Sequence, residues 1–334
     1  MAVTTHLQPP PSPFRRLMRL LGTERKDIGY TLLFAIITGL IGLTLPLGIQ
    51  AVFNLVSSGM LFSSVYVMIG LVIIGVLVGG LLTVVQLTLV EIIQQRIFVK
   101  AAFEFTYRLP RIKAEALNAY YPPELMNRFF DMVTLQKGMT KILIDLPAAA
   151  IQILFGTVLL SFYHPVFIGF GVVTLLVIYG VIRLFGPEGT YTSIKESSDK
   201  YEVVNWLELY SLAVSENRPL DDPREPIDQI DQRLASYLKN RNKHFSILKR
   251  FYYTSIGFRM LVTGGLLVLG TSLVVSREMS LGQFVASELV IVLVTAAVDK
   301  LISSFDTVFD MLASVEKIGM VTDLPIETDT PAHA

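Results

Sequence analysis

The 334-residue chain is 52% hydrophobic and only 17% charged, and its mean hydropathy is +0.56. Soluble domains carry about 25% charged residues, so this is the composition of a membrane protein. The net charge of +0 argues against a nucleic-acid partner, and the count of 0 cysteines excludes disulfides, thiol catalysis and zinc–thiolate sites.

The chain begins with a proline-rich tail, residues 1–13, that we expect to be disordered. The stretch "PFRRLMRLLG" that follows predicts a short interfacial helix that ends at Gly22, with an ordinary basic flank as the alternative. Its arginines lie on the other faces, and its apolar residues share one helical face: Phe14, Leu17, Met18 and Leu21.

Two long runs, residues 28–90 and 146–182, contain no charged residue, and each is long enough for two crossings because about 20 residues span a bilayer. Backbone polar groups in hydrocarbon must bond within their own element, and no period-two alternation is present, so helices are expected rather than a barrel. The predicted class is an all-α, polytopic membrane protein with six spans: Ile28–Val56, Val65–Val90, Leu143–Tyr163, Val166–Leu184, Tyr253–Val275 and Phe284–Val298. Pro46 and Pro147 predict kinks within these spans.

Lysine and arginine are concentrated before the first span and in two long loops, residues 91–142 and 185–252. The turns between the other spans carry Arg277 alone. The positive-inside rule therefore predicts that both termini and both long loops lie in the cytosol.

Both long loops are too regular to be simple linkers. In the first, apolar residues recur at spacings of three and four from Phe98 to Ala116, which predicts a helical arm that continues the second span. A similar seam from Leu234 to Tyr252 predicts an arm in the second loop. Arms of about 25 residues would reach about 35–40 Å beyond the membrane. We expect them to contact a soluble partner, and stiffening of the bundle is the alternative.

Two aromatic segments lie between these arms. The paired prolines of "YYPPELMNRFFDMV" should end the first arm near Tyr121 and start a new helix. That tip would present three apolar side chains: Tyr120, Tyr121 and Leu125. The second tip, residues 201–214, holds the only tryptophan of the chain, Trp206. Exposed aromatic clusters are typical of protein interfaces, although both could pack onto their own arms.

Motifs for chemistry are absent from the sequence. There is no G-x-x-x-x-G-K-[ST] phosphate loop, no G-x-S-x-G and no H-E-x-x-H, so we expect no catalytic residue and no nucleotide hydrolysis by this chain. The four histidines are scattered along the sequence, and no metal site is expected.

Ionisable groups within the spans are costly and point to specific contacts. The fifth and sixth spans form a hairpin that places Arg259 and Asp299 at similar depth. An ion pair between them is expected, with snorkelling of Arg259 to lipid headgroups as the alternative. Glu288 has no cation at its depth, so it should face a wet cavity or be protonated. A polar route through the bundle, or else simple helix–helix hydrogen bonds, would involve these residues: Gln50, Asn54, Gln86, Gln152 and Glu288.

From about Phe14 to Glu327 the order of segments resembles the membrane domain of type 1 ABC exporters, and the chain looks like a bacterial half-transporter. "SPFRRLMRLLGTERKDI" is similar to the elbow helix of that family, and "SVEKIGMVTDLPIE" is similar to its connector. "YYPPELMNRFFDMV" resembles its first coupling helix, with four matching residues: Glu124, Leu125, Arg128 and Asp131. "SSDKYEVVNWLEL" resembles its second coupling helix, with three residues at the centre: Trp206, Leu207 and Glu208.

The resemblance implies a six-helix transmembrane domain at residues 14–317 and a connector at 318–334, in the inner membrane of a bacterium. It also implies a homodimer or heterodimer whose coupling helices dock on a nucleotide-binding ATPase. ATP and Mg²⁺ would be bound by that partner, which is expected in trans or lost by truncation, and this chain would bind no cofactor. The alternatives are a scaffold or sensor that has lost transport, and a secondary transporter that uses Glu288.

Overall fold

The structure, a computed structural model, describes residues 11–59, 62–117, 122–215 and 224–327. Within these ranges the chain is almost entirely helical, with one isolated antiparallel bridge between Ile112 and Ile326. The helices are α1 (Pro13–Gly22), α2 (Arg25–Gly42), α3 (Thr44–Ser57), α4 (Phe62–Arg108), α5 (Ala114–Leu117), α6 (Pro122–Asn127), α7 (Asp131–Thr140), α8 (Leu146–Tyr163), α9 (Val166–Ser215), α10 (Glu225–Val275) and α11 (Leu281–Thr322).

Six helical segments are long and apolar enough to cross a membrane, which confirms the predicted all-α, multi-pass class. They are Arg25–Ser57, Ser63–Arg111, Pro122–Tyr163, Val166–Ser215, Glu225–Val275 and Leu281–Thr322. The outer face of α4 presents Ile73, Ile74 and Leu77, each 61% exposed. Such a continuous apolar face suits contact with lipid tails.

Prolines interrupt two of the six segments where the sequence predicts kinks. The first segment divides at Leu43 into α2 and α3, because Pro46 has no N–H to donate to the carbonyl of Gly42. The third contains a π-helical turn, Lys141–Asp145, directly before Pro147 in the first turn of α8. Such turns mark local changes in helix geometry.

The first arm is shorter than predicted, and the prediction of one helix from Phe98 to Ala116 is wrong. α4 ends at Arg108 and passes into a 3₁₀ turn, Leu109–Arg111. Pro110 explains this end, because proline lacks an N–H donor and disfavours helix in the residue before it. The strand-like bridge follows, where the N–H of Lys113 donates to the carbonyl of Pro325 at 3.0 Å.

Charged residues cluster at one end of the bundle, which we call the base. The base comprises α1 and the segments 91–117, 122–145, 183–215, 225–252 and 299–322. α9 and α10 extend furthest into it and pack against each other along its length.

Two apolar cores hold the molecule together, and α11 belongs to both. The first lies in the base, where α1, α4 and α7 surround the last turns of α11 around Met311 and Val315. The second runs along α8, α9 and α10 against Val290, Val294 and Phe309 of α11. α11 therefore connects the base mechanically to the membrane bundle.

Candidate functional site

The first predicted tip is only partly within the described residues, because Tyr120 and Tyr121 lie outside them. α6 begins at Pro122, as the proline pair predicts. Leu125, however, is fully buried in the core of the base, so its predicted role at an exposed tip is wrong. α6 turns this side chain inward onto α7, where Met132 and Leu135 are equally buried.

Glu124 of α6 and Arg128 of the 3₁₀ turn that follows it form an ion pair with each other. Arg128 is 6% exposed and donates from Nη2 to Oε1 of Glu124 at 2.8 Å. This is an i,i+4 pair, a spacing at which helical side chains meet. The pair fixes the side chains that the sequence placed on a docking helix, and it leaves little of Arg128 to reach a partner.

The second predicted tip is not a separate element. α9 runs without interruption from Val166 to Ser215, so the prediction that residues 201–214 form a tip between arms is wrong. Residues 190–215 contain neither glycine nor proline, and nothing in this segment stops a helix. The next helix, α10, begins at Glu225, and residues 216–223 lie outside the described part of the chain.

Trp206 packs back onto its own arm and onto the next one. Its indole N–H donates to Oε1 of Gln229 on α10 at 2.9 Å, and its ring stacks on Tyr210 with centroids 5.2 Å apart. The side chain is half-buried. Trp206 therefore holds α9 to α10, which was the alternative considered for it from the sequence.

Exposed apolar side chains remain on the distal part of α9. We call them the α9 patch, which at about 100° per residue extends around more than half of the helix: Val204, Leu207, Leu209, Leu212 and Val214, each between 39% and 54% exposed. Leu207 is the member that the sequence singled out, and it is 48% exposed. Apolar side chains grouped at the far end of a charged extension are typical of a surface that another protein covers.

The two predicted coupling segments are in contact. Nδ2 of Asn127, the last residue of α6, donates to Oε2 of Glu208 on α9 at 2.8 Å. Glu208, the third residue singled out in this segment, thus links α9 to α6 next to the α9 patch.

A buried polar network connects α7, α9 and α11 just behind this contact. Asp131 is 3% exposed, and its carboxylate accepts from the hydroxyl of Tyr201 at 2.7 Å and from that of Ser314 at 3.4 Å. Lys317 is 4% exposed and donates to Oγ of Ser198 at 2.8 Å. Burial raises the pKa of Asp131 and lowers that of Lys317, because it disfavours both charges.

Asp131 is among the residues that the sequence singles out, whereas Lys317 and Tyr201 are not. The available signal for Lys317 was a lysine, next to Glu316, within the largely apolar stretch "MLASVEKIGMV".

The predicted interfacial helix forms as α1, but one of its arginines lies on the inner side. Arg16 is 9% exposed and forms ion pairs with Glu316 and, at 2.6 Å, with Asp323. Leu17 and Leu21 are buried beside it, whereas Phe14 and Met18 are exposed. α1 is therefore attached to the end of α11 by charge as well as by apolar contact.

A cavity of about 390 Å³ lies within the bundle, among α2, α3, α4, α8 and α11. Two of the predicted pathway residues, Gln86 and Gln152, line it together with Thr38 and Thr44. The hydroxyl of Thr38 is buried and has no hydrogen-bond partner among the described residues, and a polar occupant of the cavity could supply one.

The other three pathway residues do not line this cavity. Gln50 accepts a hydrogen bond from the hydroxyl of Tyr163 at 2.8 Å, which is a helix–helix contact. Asn54 packs beside Gly282, where only a glycine leaves room for its amide. Glu288 is partly buried on α11, and its Oε1 has no partner among the described residues. The structure thus brings two of the five together at one cavity.

The predicted contact between Arg259 and Asp299 is present as an ion pair across α10 and α11. Asp299 also accepts a hydrogen bond from the hydroxyl of Ser255 on α10. Both residues are partly exposed on the outside of the bundle, with side chains 57% and 29% exposed. The arginine therefore has both a carboxylate partner and access to lipid headgroups.

We expect that reversing either charge of this pair alone, Arg259→Asp or Asp299→Arg, will lower stability by about 1–3 kcal/mol because like charges then meet near the membrane. The double reversal should recover most of the loss. Thermal unfolding of the purified chain in detergent measures both effects. If the double variant is no more stable than the worse single variant, the pair does not stabilise the fold.

Comparisons with known proteins add no family to this description. No protein-family model matches the chain, and no curated protein matches it significantly.

Proposed function

We propose that the chain is the membrane-spanning subunit of an ATP-driven exporter of the type 1 ABC kind. In this proposal two membrane subunits, identical or related, alternate between inward and outward access, and a nucleotide-binding ATPase supplied in trans drives the change. The protein lies in the inner membrane of a bacterium with the base in the cytosol. ATP and Mg²⁺ bind to the ATPase, not to this chain.

The proposal rests mainly on the lengths of α9 and α10, which extend far beyond the thickness of a membrane. α9 has 50 residues and α10 has 51, so each is about 75 Å long, whereas the hydrocarbon layer is about 30 Å thick. Leu207 lies 23 residues beyond Leu184, the end of the predicted span, which is about 35 Å along the helix. A connection between spans needs no such length, but contact with a soluble partner does.

The exposed apolar residues of the α9 patch also favour a soluble protein partner. The α9 patch lies on the last turns of α9, away from the predicted spans, where exposure of apolar side chains to water is unfavourable. Exposed charged residues lie near its ends in the chain, Glu202 on α9 and Glu225 at the start of α10. An apolar centre with a polar rim is the usual anatomy of a protein interface.

A continuous path connects this surface to the cavity. The α9 patch adjoins the Asn127–Glu208 contact, and the Asp131 network joins α7 and α9 to α11. α11 then runs as one helix to Val290 and Leu293, which line the cavity. Displacement of α6 and the distal part of α9 by a partner would therefore move the wall of the cavity.

The α9 patch is tested by the variant Leu207→Asp. Placing a charge in the centre of an apolar interface costs several kcal/mol, so we expect the recovery of the ATPase subunit with the affinity-tagged chain to fall at least tenfold. The measurement is co-purification from solubilised membranes of the native host, with the ATPase identified by its phosphate-binding loop.

Leu238→Asp is the matched control, because Leu238 is a 54% exposed leucine of α10 that lies outside the α9 patch. It should leave recovery unchanged. If an ATPase is recovered equally with all three proteins, its contact lies elsewhere. If the native chain recovers no ATPase, the proposal fails in favour of a scaffold or a secondary transporter.

A further inference from the structure

A histidine in the second core faces two carboxylates of a neighbouring helix. His244 of α10 is completely buried, and its imidazole lies edge-on to Phe309. Asp306 and Asp310 stand one turn apart on α11, and one ligand atom from each of the three residues lies within 4.8 Å of the others. The histidines are scattered in the sequence, so only the packing of α10 on α11 creates this group.

Thr192 fixes which imidazole nitrogen faces the carboxylates. Its hydroxyl donates to the carbonyl of Glu188 at 2.9 Å, one turn back on α9. Its oxygen lies 2.9 Å from Nδ1 of His244, so with its proton on a carbonyl of α9 the threonine oxygen accepts the Nδ1–H. In that tautomer Nε2 presents its lone pair to α11, which is the arrangement of a metal-binding histidine held by an outer hydrogen bond.

Nε2 has no hydrogen-bond partner among the described residues although it is fully buried. Oδ1 of Asp306 lies 3.7 Å away, which is too long for a hydrogen bond. Two atoms that bind one cation at about 2.1 Å are separated by about 3–4 Å, so this gap suits a bridging ion. A rotation of the half-exposed Asp306 side chain would complete the approach.

The negative charge of the two carboxylates and their access to solvent both suit a bound cation. Asp310 also lines a polar cavity of about 220 Å³ with Glu196, Lys200 and Arg241. Arg241 is paired with Glu196 at 2.8 Å and also lies near both aspartates, and the hydroxyl of Ser193 lies 3.5 Å from Oδ1 of Asp310. The adjacent carboxylates of Asp306 and Asp310 nevertheless repel each other. Because the cavity opens beside Asp310, water and ions can reach the group without crossing the membrane.

We propose that His244, Asp306 and Asp310 form a binding site for a divalent transition-metal ion, with water completing the coordination. One imidazole and two carboxylates are ligands that Zn²⁺, Mn²⁺ and Fe²⁺ accept, whereas Mg²⁺ and Ca²⁺ prefer oxygen ligands alone. The ion joins α10 to α11 within the base and so resists their separation. This inference does not depend on transport or on an ATPase partner.

The test is titration of the purified full-length chain with ZnCl₂ by isothermal calorimetry, after treatment with a chelator and with a purification tag that contains no histidine. We expect one Zn²⁺ per chain. Asp306→Asn and Asp310→Asn should each weaken binding at least tenfold, because each removes an anionic ligand. MgCl₂ should bind at least a hundredfold more weakly than ZnCl₂.

Asp231→Asn is the control, since Asp231 is an exposed aspartate of α10 away from the group. It should bind Zn²⁺ as the native chain does. X-ray absorption of the bound Zn²⁺ should show one imidazole ligand that His244→Gln removes; should that variant not fold, the two aspartate variants decide. Absence of saturable binding, equal binding by the aspartate variants, or equal affinity for Mg²⁺ would overturn the site.

Discussion

Gly189→Ala should destabilise the chain by about 2–3 kcal/mol, because its methyl group has no space. Gly189 lies on α9 opposite Phe309 of α11, and a Cβ at this position would come within 3.0 Å of three atoms of the phenyl ring. The ring cannot retreat easily, since it packs against Phe251, Phe305 and His244. The variant must therefore push α9 away from α11 or distort this aromatic cluster.

Gly180 provides the matched control on the same helix. A Cβ there meets nothing within 4 Å and no proline follows it, so Gly180→Ala should keep or slightly raise stability through the higher helix propensity of alanine. Thermal unfolding in detergent and the yield of monodisperse protein measure both variants. Equal stability of the two would show that α9 does not approach α11 as closely as the structure has it.

Leu125→Ala should destabilise the chain by about 2–4 kcal/mol, as expected for a fully buried leucine in a well-packed site. The sequence placed this residue at an exposed tip, where the same change would cost little. Leu125 contacts the core of the base that also contains Met132 and Leu135. The result therefore distinguishes a structural role for Leu125 from a role in partner binding.

Leu207→Ala is the comparison for that experiment. Leu207 is 48% exposed, and truncation of such a side chain changes stability by about 0.5 kcal/mol or less. Chemical denaturation followed by the fluorescence of Trp206 can measure both variants. If Leu125→Ala is as stable as Leu207→Ala, then α6 does not lie on the core as described.

The sequence predicted the elements that depend on local chemistry. Long apolar runs without charge predicted six membrane-crossing segments, and Pro46 and Pro147 predicted the breaks near Leu43 and before α8. Pro122 likewise predicted the start of α6. These features depend on hydropathy and on the missing N–H of proline, which are properties of single residues and short windows.

The predicted ends of both arms are wrong because the presence or absence of helix breakers, and not the apolar or aromatic composition, determines where each helix ends. Pro110 ends α4, although the spacing of apolar residues continues to Ala116. On α9 the aromatic composition of residues 201–214 suggested a tip, but the absence of glycine and proline allows the helix to continue. In both arms, glycine and proline predict the end of the helix better than the composition of the surrounding segment does.

Contacts between distant parts of the chain could not be predicted from local patterns. Arg16 pairs with Glu316, 300 residues away, so a helical face that looks solvent-exposed becomes buried. His244 meets Asp306 only because α10 packs on α11. Arg259 and Asp299 were predictable because a short hairpin sets their relative depth, whereas no comparable constraint applied to the other pairs.

Photo-crosslinking from Leu207 in living cells shows whether the α9 patch contacts an ATPase. A photoreactive amino acid at Leu207 is compared with one at Ile74, which lies on the outer face of α4 and is 61% exposed. We expect Leu207, and not Ile74, to capture a soluble protein that carries a phosphate-binding ATPase loop, identified by mass spectrometry. If neither Leu207 nor Leu212 captures such an ATPase, in cells where the folded chain reaches the membrane, then the α9 patch is not the docking surface of an ATPase subunit.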